Sequence, residues 1–233
     1  MDEFGSPGKP YGDIGRMQQE LHTLIERMST EEPVVDSRRS VSWQAHREAE
    51  ILCDPAIVGE LRDYLRTMPD NRRRRSVYFI LGKLGQRAAA GDCVSILLES
   101  LGSEADKYVL SSLLDALSGL NLPADACMDH IFAYLKDDRW VVRHSAIGAL
   151  AGSNSHQAED RVLGLLKATT DPFDMIYCHA TLGRIGSAMA IPYLEANAKS
   201  QKRDVRISAQ AALEKISRRV IDASPTMAGE TIQ

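Results

Sequence analysis

A leucine returns along this chain at an interval that no single helix or strand can supply. Leu81, Leu114, Leu150, Leu182 and Leu213 are separated by 33, 36, 32 and 31 residues. Each sits in a comparable segment: RRRSVYFILGKLG from Arg73, DKYVLSSLLDALS from Asp106, VRHSAIGALAGSN from Val142, DMIYCHATLGRIG from Asp174 and VRISAQAALEKIS from Val205. A period of this size corresponds to one helix–turn–helix unit per repeat, which cannot hide its apolar face alone and must stack on its neighbours. A sixth, poorer copy precedes them, from about Ser37 to Met68.

Capping chemistry divides each repeat into two helices. Asp54-Pro55 and Asp171-Pro172 place a side-chain acceptor before a proline at the first helical position. Pro123 reads as a helix start of the same kind. Gly85, Gly102 and Gly186 stand where helices should stop. Ser155 and Ser187 can cap the second helices of their repeats. No stretch alternates as a strand does. The recurring Ala and Ser of VRHSAIGAL and ISAQAALEKI let neighbouring helices approach closely. The expected fold is therefore all-α, an α-solenoid of five to six helical hairpins over residues 37–219.

Residues 13–29 add an N-terminal helix. Ile14, Met17, Leu21, Leu24 and Met28 share one of its faces. Such a helix either covers the first repeat or meets a partner or second copy. Residues 1–12 read as a flexible tail, 30–36 as a linker, and 220–233 as a second tail in which Val220 and Ile221 can still pack.

Composition narrows function. The formal net charge is -4, without the basic excess of a dedicated nucleic-acid binder. Cys53, Cys93, Cys127 and Cys178 are far apart and form no C-x-x-C pair, so they read as free, mostly buried thiols suited to the cytoplasm. No apolar run is long enough for a membrane span. The six histidines show no metal-ligand spacing. Cys178 and His179 are adjacent, but helical neighbours point about 100° apart, so they make no nucleophile–base pair. No phosphate-binding glycine loop or nucleophile elbow occurs. The reading is a non-enzyme without cofactor or metal.

The segment LGRIGSAMAIPYLEANAKSQKRDVRISAQAALEKI resembles consecutive HEAT repeats of the phycobilisome-lyase type. The matching residues are Leu182, Gly183, Ile185 and Gly186, then Ala190, Ile191, Pro192 and Leu194, then Asp204, Val205, Arg206, Ala209, Ala212 and Leu213. Asp138, Val142, Arg143, Ala146, Ala149 and Leu150 form a second match. The resemblance covers residues 71–217. It implies that the aspartate and arginine tie neighbouring turns together. The copies at Arg73 and Asp106 lack the V-R pair. It also implies that the second helices line a concave face. Outward positions there include Glu60, Asp63, Tyr64, Glu99, Asp129, Phe132, Glu159, Asp160 and Tyr193, a mixture suited to a protein partner with basic and apolar groups.

Three further features are open to two readings. Arg72–Arg75 is a solvated helix start or a grip on phosphate or an acidic partner. Trp140, beside Asp137, Asp138 and Arg139, packs against the adjacent turn or anchors a partner. Trp43 reads as core. The functional expectation is a protein-binding module, an adaptor or an immunity protein that neutralises a partner. Two enzyme precedents within the fold, bilin lyases and alkylpurine DNA glycosylases, form the alternative, and a structural scaffold is the third.

Overall fold

The computed structural model describes residues 11–33, 36–88 and 90–223. Residues 1–10 of the N-terminal tail, Val34 and Val35 of the linker, residues 224–233, and the side chains of Ile14, Val220 and Ile221 lie outside the described residues. Among the described residues there are twelve α-helices and no strand. The fold is all-α, of the repeat-solenoid kind. It divides into two compact units, residues 1–93 and 94–233.

The first unit holds α1 (Tyr11–Met28), α2 (Val41–Glu50), α3 (Val58–Thr67) and α4 (Asn71–Arg87). The face expected on α1 is buried at Leu21, Leu24 and Met28, joined by Ile25, and α1 packs on α2 and α4. The α2 helix buries only its small residues, Ala45 and Ala49. Trp43, expected in the core, therefore stands outside it, 43% exposed, with the Arg47 guanidinium 5.5 Å from its ring.

The arginine run is neither a bare helix start nor an open basic patch. Arg72 pairs with Glu31, and Arg73 meets Glu26 at 2.7 Å. Arg74 donates to the carbonyls of Leu65 at 2.6 Å and Met68 at 3.0 Å. Asp70 caps the helix by accepting from the Arg73 amide. Gly85 does not end α4, which runs to Arg87 with Gly85 buried.

The boundary between the units falls within α5 (Ala90–Ser100). The second unit continues with α6 (Lys107–Ser118), α7 (Asp129–Tyr134), α8 (Trp140–Ala149), α9 (His156–Ala168), α10 (Pro172–Ile185), α11 (Ile191–Asn197) and α12 (Arg203–Ala223). The helices that carry the repeated leucine pack in succession, α6 on α8, α8 on α10 and α10 on α12. Leu81, Leu114, Leu150 and Leu182 are wholly buried. Leu213, in the last repeat, is only half-buried, because no described leucine-bearing helix follows α12 to cover it. Small residues set the spacing, as expected. A Cβ added to Gly183 on α10 would lie 3.3 Å from the Ala212 Cα on α12.

Several expected boundaries hold. Asp54 and Asp171 cap the turns that their prolines open, and Ser155 and Ser187 cap α9 and the turn before α11. Gly186 ends α10, and Gly102 lies in the turn after α5. Pro123 does not start a helix. It opens one turn, closed by the Ala126 amide on its carbonyl, and α7 begins six residues later. Leu122, just before it, is held in a bridge to Ser153 with its amide on the Gly152 carbonyl at 2.9 Å. That pairing keeps the segment extended. The α12 helix continues through Ala223, past the expected end of the repeats at Arg219.

Candidate functional site

Seven residues before each repeated leucine lies Arg74, Lys107, Arg143, Met175 or Arg206. All three arginines in this row donate to the carbonyl six residues upstream: Arg74 to Met68 at 3.0 Å, Arg143 to Asp137 at 2.7 Å and Arg206 to Ser200 at 3.0 Å. Each arginine thus closes the turn that enters its own helix. The copy at Arg73, which lacks the V-R pair, makes the same bond through Arg74. Arg143 does tie neighbouring repeats together, but through Asp174 of the following repeat and, at 3.9 Å, Asp171, rather than through the motif's Asp138. Arg143 Nε lies 3.0 and 3.1 Å from the two Asp174 oxygens.

Asp174 is the centre of the most organised polar cluster in the second unit. It is 5% exposed. Besides Arg143, it accepts from His144 Nε2 at 2.9 Å and from Thr169 Oγ1 at 3.1 Å. The His144 ring is thereby fixed in orientation. Tyr177 stacks on it at 4.3 Å between centroids, and Trp140, one helical turn earlier on α8, lies 5.6 Å from it. The outcome is a continuous run of three rings, Trp140–His144–Tyr177, bridging α8 and α10. Its outer members are 64% and 42% exposed, and Phe173, one turn before Tyr177, is 64% exposed. Trp140 is thus an exposed ring and not one buried against the adjacent turn. Tyr108 and Ile207, each six residues before its repeated leucine as His144 is before Leu150, are also exposed.

The candidate residues on the second helices are arranged differently. Phe132 on α7 lies under the Arg161 guanidinium at 5.3 Å, and Tyr193 on α11 under the Lys167 ammonium at 4.2 Å. Each ring is thus already met by a cation of the same unit. Asp129, Asp138, Asp160 and Glu99 are exposed. Glu159 is not an outward position. It is 2% exposed, and one carboxylate oxygen accepts from the Ser187 amide at 2.7 Å and its hydroxyl at 3.0 Å. It caps the following repeat from inside. Tyr64 belongs to the first unit, half-buried and edge-on to His22 at 5.9 Å. Of these candidates, Trp140 alone is a member of the ring run, with exposed Asp138 two residues before it. Tyr177 and Phe173 escaped the sequence reading, although their i, i+4 spacing on α10 was legible.

The Cys178–His179 neighbourhood is packed for structure. Burial pushes the Cys178 thiol far above its ordinary range, where it is a poor nucleophile. Of the other cysteines Cys93 is buried, while Cys53 and Cys127 are exposed, so only half match the expected burial. His179 is fully buried and joins three helices. Its Nε2 accepts from Asn197 Nδ2 and its Nδ1 donates to Ser208 Oγ, both at 2.8 Å. Burial lowers its pKa to about 4 from 6.5.

The unfolded chain takes up the proton on this histidine first, so the stability contributed by neutral His179 is complete above pH 6.5 and lost as pH falls toward 4. Urea denaturation should show roughly 2 kcal/mol less stability from this group at pH 5 than at pH 7. A His179→Leu variant should lose most of that slope. An unchanged slope would remove His179 as its source.

Residues 128–214 match the family model for HEAT repeats. Among solved structures, an engineered protein is similar over 85% of this chain and 97% of its own, at 20% identity and a TM-score of 0.52. A designed armadillo repeat protein covers 83% and 98%, at 14% identity and a TM-score of 0.48. No curated protein matches the chain. The segment that carries the ring surface thus lies within the match to HEAT repeats, in a chain with a repeat-solenoid fold. No described helix is long and apolar enough to cross a membrane, and no described group of His, Cys, Asp or Glu could hold a metal ion.

Proposed function

We propose that this chain is a non-catalytic protein-binding module, and that the Trp140–His144–Tyr177 surface is where it holds its partner. The observation that carries the reading is the pairing of exposed rings with a buried polar clamp. Exposed aromatics are the usual anchors of protein interfaces, and anchors bind best when their geometry is set in advance. Here Asp174 fixes His144, and His144 carries a ring on each side. Exposed Asp138 precedes Trp140 by two residues, which suits a partner with basic groups around an apolar patch. Among the roles open to such a module, neutralisation of a basic partner, as an immunity protein does, fits the acidic net charge; an adaptor role uses the same surface.

The test is comparative capture from source cells. The tagged wild-type chain should retain a protein that Trp140→Ala/Tyr177→Ala does not, at equal helicity and thermal midpoint. With the partner purified, Trp140→Ala alone should weaken binding by about 30-fold, the loss of one anchor worth roughly 2 kcal/mol. Undiminished retention by the double variant would move the interface elsewhere, and Phe132 and Tyr193 would be next in line.

A further inference from the structure

The second unit holds a further surface, separate from the ring run and opposite in charge to the chain as a whole. A cleft of about 620 Å³ lies between residues 151–159, residues 183–187 and the part of α12 that carries Lys215 and Arg219. This is within the range of small-molecule sites, ~300–1,000 Å³. Arg184, Lys215 and Arg219 line it, all three exposed, against one described carboxylate, Glu159. Glu159 is 2% exposed, and its Oε1 is occupied by the Ser187 amide and hydroxyl. The cleft therefore carries a local excess of two positive charges in a chain of net charge -4.

These cations are held in place without being neutralised. Arg184 donates to the Ser118 carbonyl at 3.2 Å. Arg219 donates to the carbonyls of Gly183 at 2.5 Å and Gly186 at 2.8 Å. The acceptors are neutral, and a guanidinium has further N–H donors to offer. The stem of Lys215 lies against Gly183, and its ammonium donates to no described residue. Arg218 next along α12 is different, since it pairs with Glu214. The N-terminal end of α9, at Ser155 and His156, opens on the same cleft. Its aligned peptide dipoles add to the attraction for an anion. The opposite wall, at Asn121 and Ser153, is braced by the bridge between Leu122 and Ser153.

We propose that this cleft binds a small organic phosphate monoester, its phosphate held by Lys215 and the two guanidiniums and its organic part against Asn121, Asn154 and Ile185. A phosphate monoester carries a charge of about −1.5 to −2 at neutral pH, which matches the local excess. Its oxygens accept several charge-assisted hydrogen bonds at once, as fixed guanidiniums require. A monocarboxylate or sulfonate would leave one positive charge unanswered. The cleft is larger than a lone phosphate needs, and the Ile185 wall gives an organic group apolar surface to cover.

The test titrates the full, isotope-labelled chain with phenyl phosphate at physiological salt and follows amide shifts by NMR. The shifts should saturate in the submillimolar range and centre on Ser153–Ser155, Gly183 and Ser187. Inorganic phosphate should bind more weakly, and benzenesulfonate, with the same ring and one charge, at least about fivefold more weakly. Lys215→Gln should weaken phenyl phosphate by about tenfold, the loss of one charge-assisted hydrogen bond, and Lys215→Arg should keep affinity within about threefold. Lys202→Gln, just before α12 and outside the cleft, makes the same charge change and should alter affinity by less than about twofold. Trp140→Ala/Tyr177→Ala should leave it unchanged, so failure here and failure of the ring surface are told apart. A short phosphoserine peptide, which carries the same phosphate on a protein chain, should bind no more tightly than phenyl phosphate. No saturable shifts, shifts centred away from the cleft, equal weakening by Lys215→Gln and Lys202→Gln, or tighter binding of the peptide overturns the proposal.

Discussion

Replacing Gly152 with alanine should leave the 94–233 unit unfolded or destabilised by about 4 kcal/mol or more. A Cβ at this position would lie 1.8 Å from the Leu120 carbonyl oxygen and 2.9 Å from its carbon. Neither is the tip of a mobile side chain, so relief requires the backbone itself to move. Movement is resisted on both strands of the contact. The Gly152 carbonyl accepts from the Leu122 amide, and Ser153 bridges to Leu122. Leu120 and Leu122 are each 2% exposed, so shifting them disturbs the core as well. Chemical denaturation followed by far-UV circular dichroism checks the outcome. Gly164→Ala on α9 is the counterpart, since nothing lies within 4 Å of its added Cβ. It should raise stability by up to about 1 kcal/mol, the helix-propensity gain over glycine. Equal midpoints for the two variants would show that the 120–122/152–153 contact yields freely.

Asp174→Ala should cost about 3–5 kcal/mol, the usual loss when one partner of a buried ion pair is removed. Arg143 would keep its charge in a side chain only 17% exposed, and Thr169 and His144 would lose their acceptor. The neutral carbonyl of Asp137 would remain to Arg143, together with the more exposed Asp171 carboxylate at 3.9 Å, which compensates its charge only in part. Arg143→Met/Asp174→Ala should be more stable than Asp174→Ala itself, because the stranded cation is gone. That reversal distinguishes an uncompensated charge from a simple cavity, and a double-mutant cycle in urea measures it. Without Asp174 the His144 ring loses the hydrogen bond that orients it between Trp140 and Tyr177, so partner binding should fall too.

The fold was largely legible because its determinants are periodic. The repeated leucines and their small neighbours mark core positions, and four of the five leucines are wholly buried. Capping aspartates and serines were legible for the same reason, since a cap is a local event between a side chain and an amide two or three residues on. What was misread depends on pairing between distant segments. Pro123 resembled a helix start until its neighbour Leu122 was bridged to Ser153. Glu159 looked like a surface acid because its partner Ser187 lies 28 residues on. The arginine run looked exposed because Glu26 and Glu31 approach from another helix and its following turn. Trp43 looked like core on hydrophobicity, but α2 turns its alanines inward. Arg74 was missed for a different reason. Its role is set by distance from Leu81, and its repeat carries no V-R pair to mark it.

The ties between successive repeats have a consequence for how the chain can be rearranged. The repeats look interchangeable by their leucines, yet the polar contacts at each junction differ. Ser111 meets Ser145 at 2.8 Å between α6 and α8. Arg143 and His144 meet Asp174 between α8 and α10. His179 meets Ser208 between α10 and α12. Swapping or deleting one repeat would bring an arginine opposite a valine, or a serine opposite nothing that can accept from it. The stack is spelled rather than counted: each layer carries an address that only its own neighbour completes.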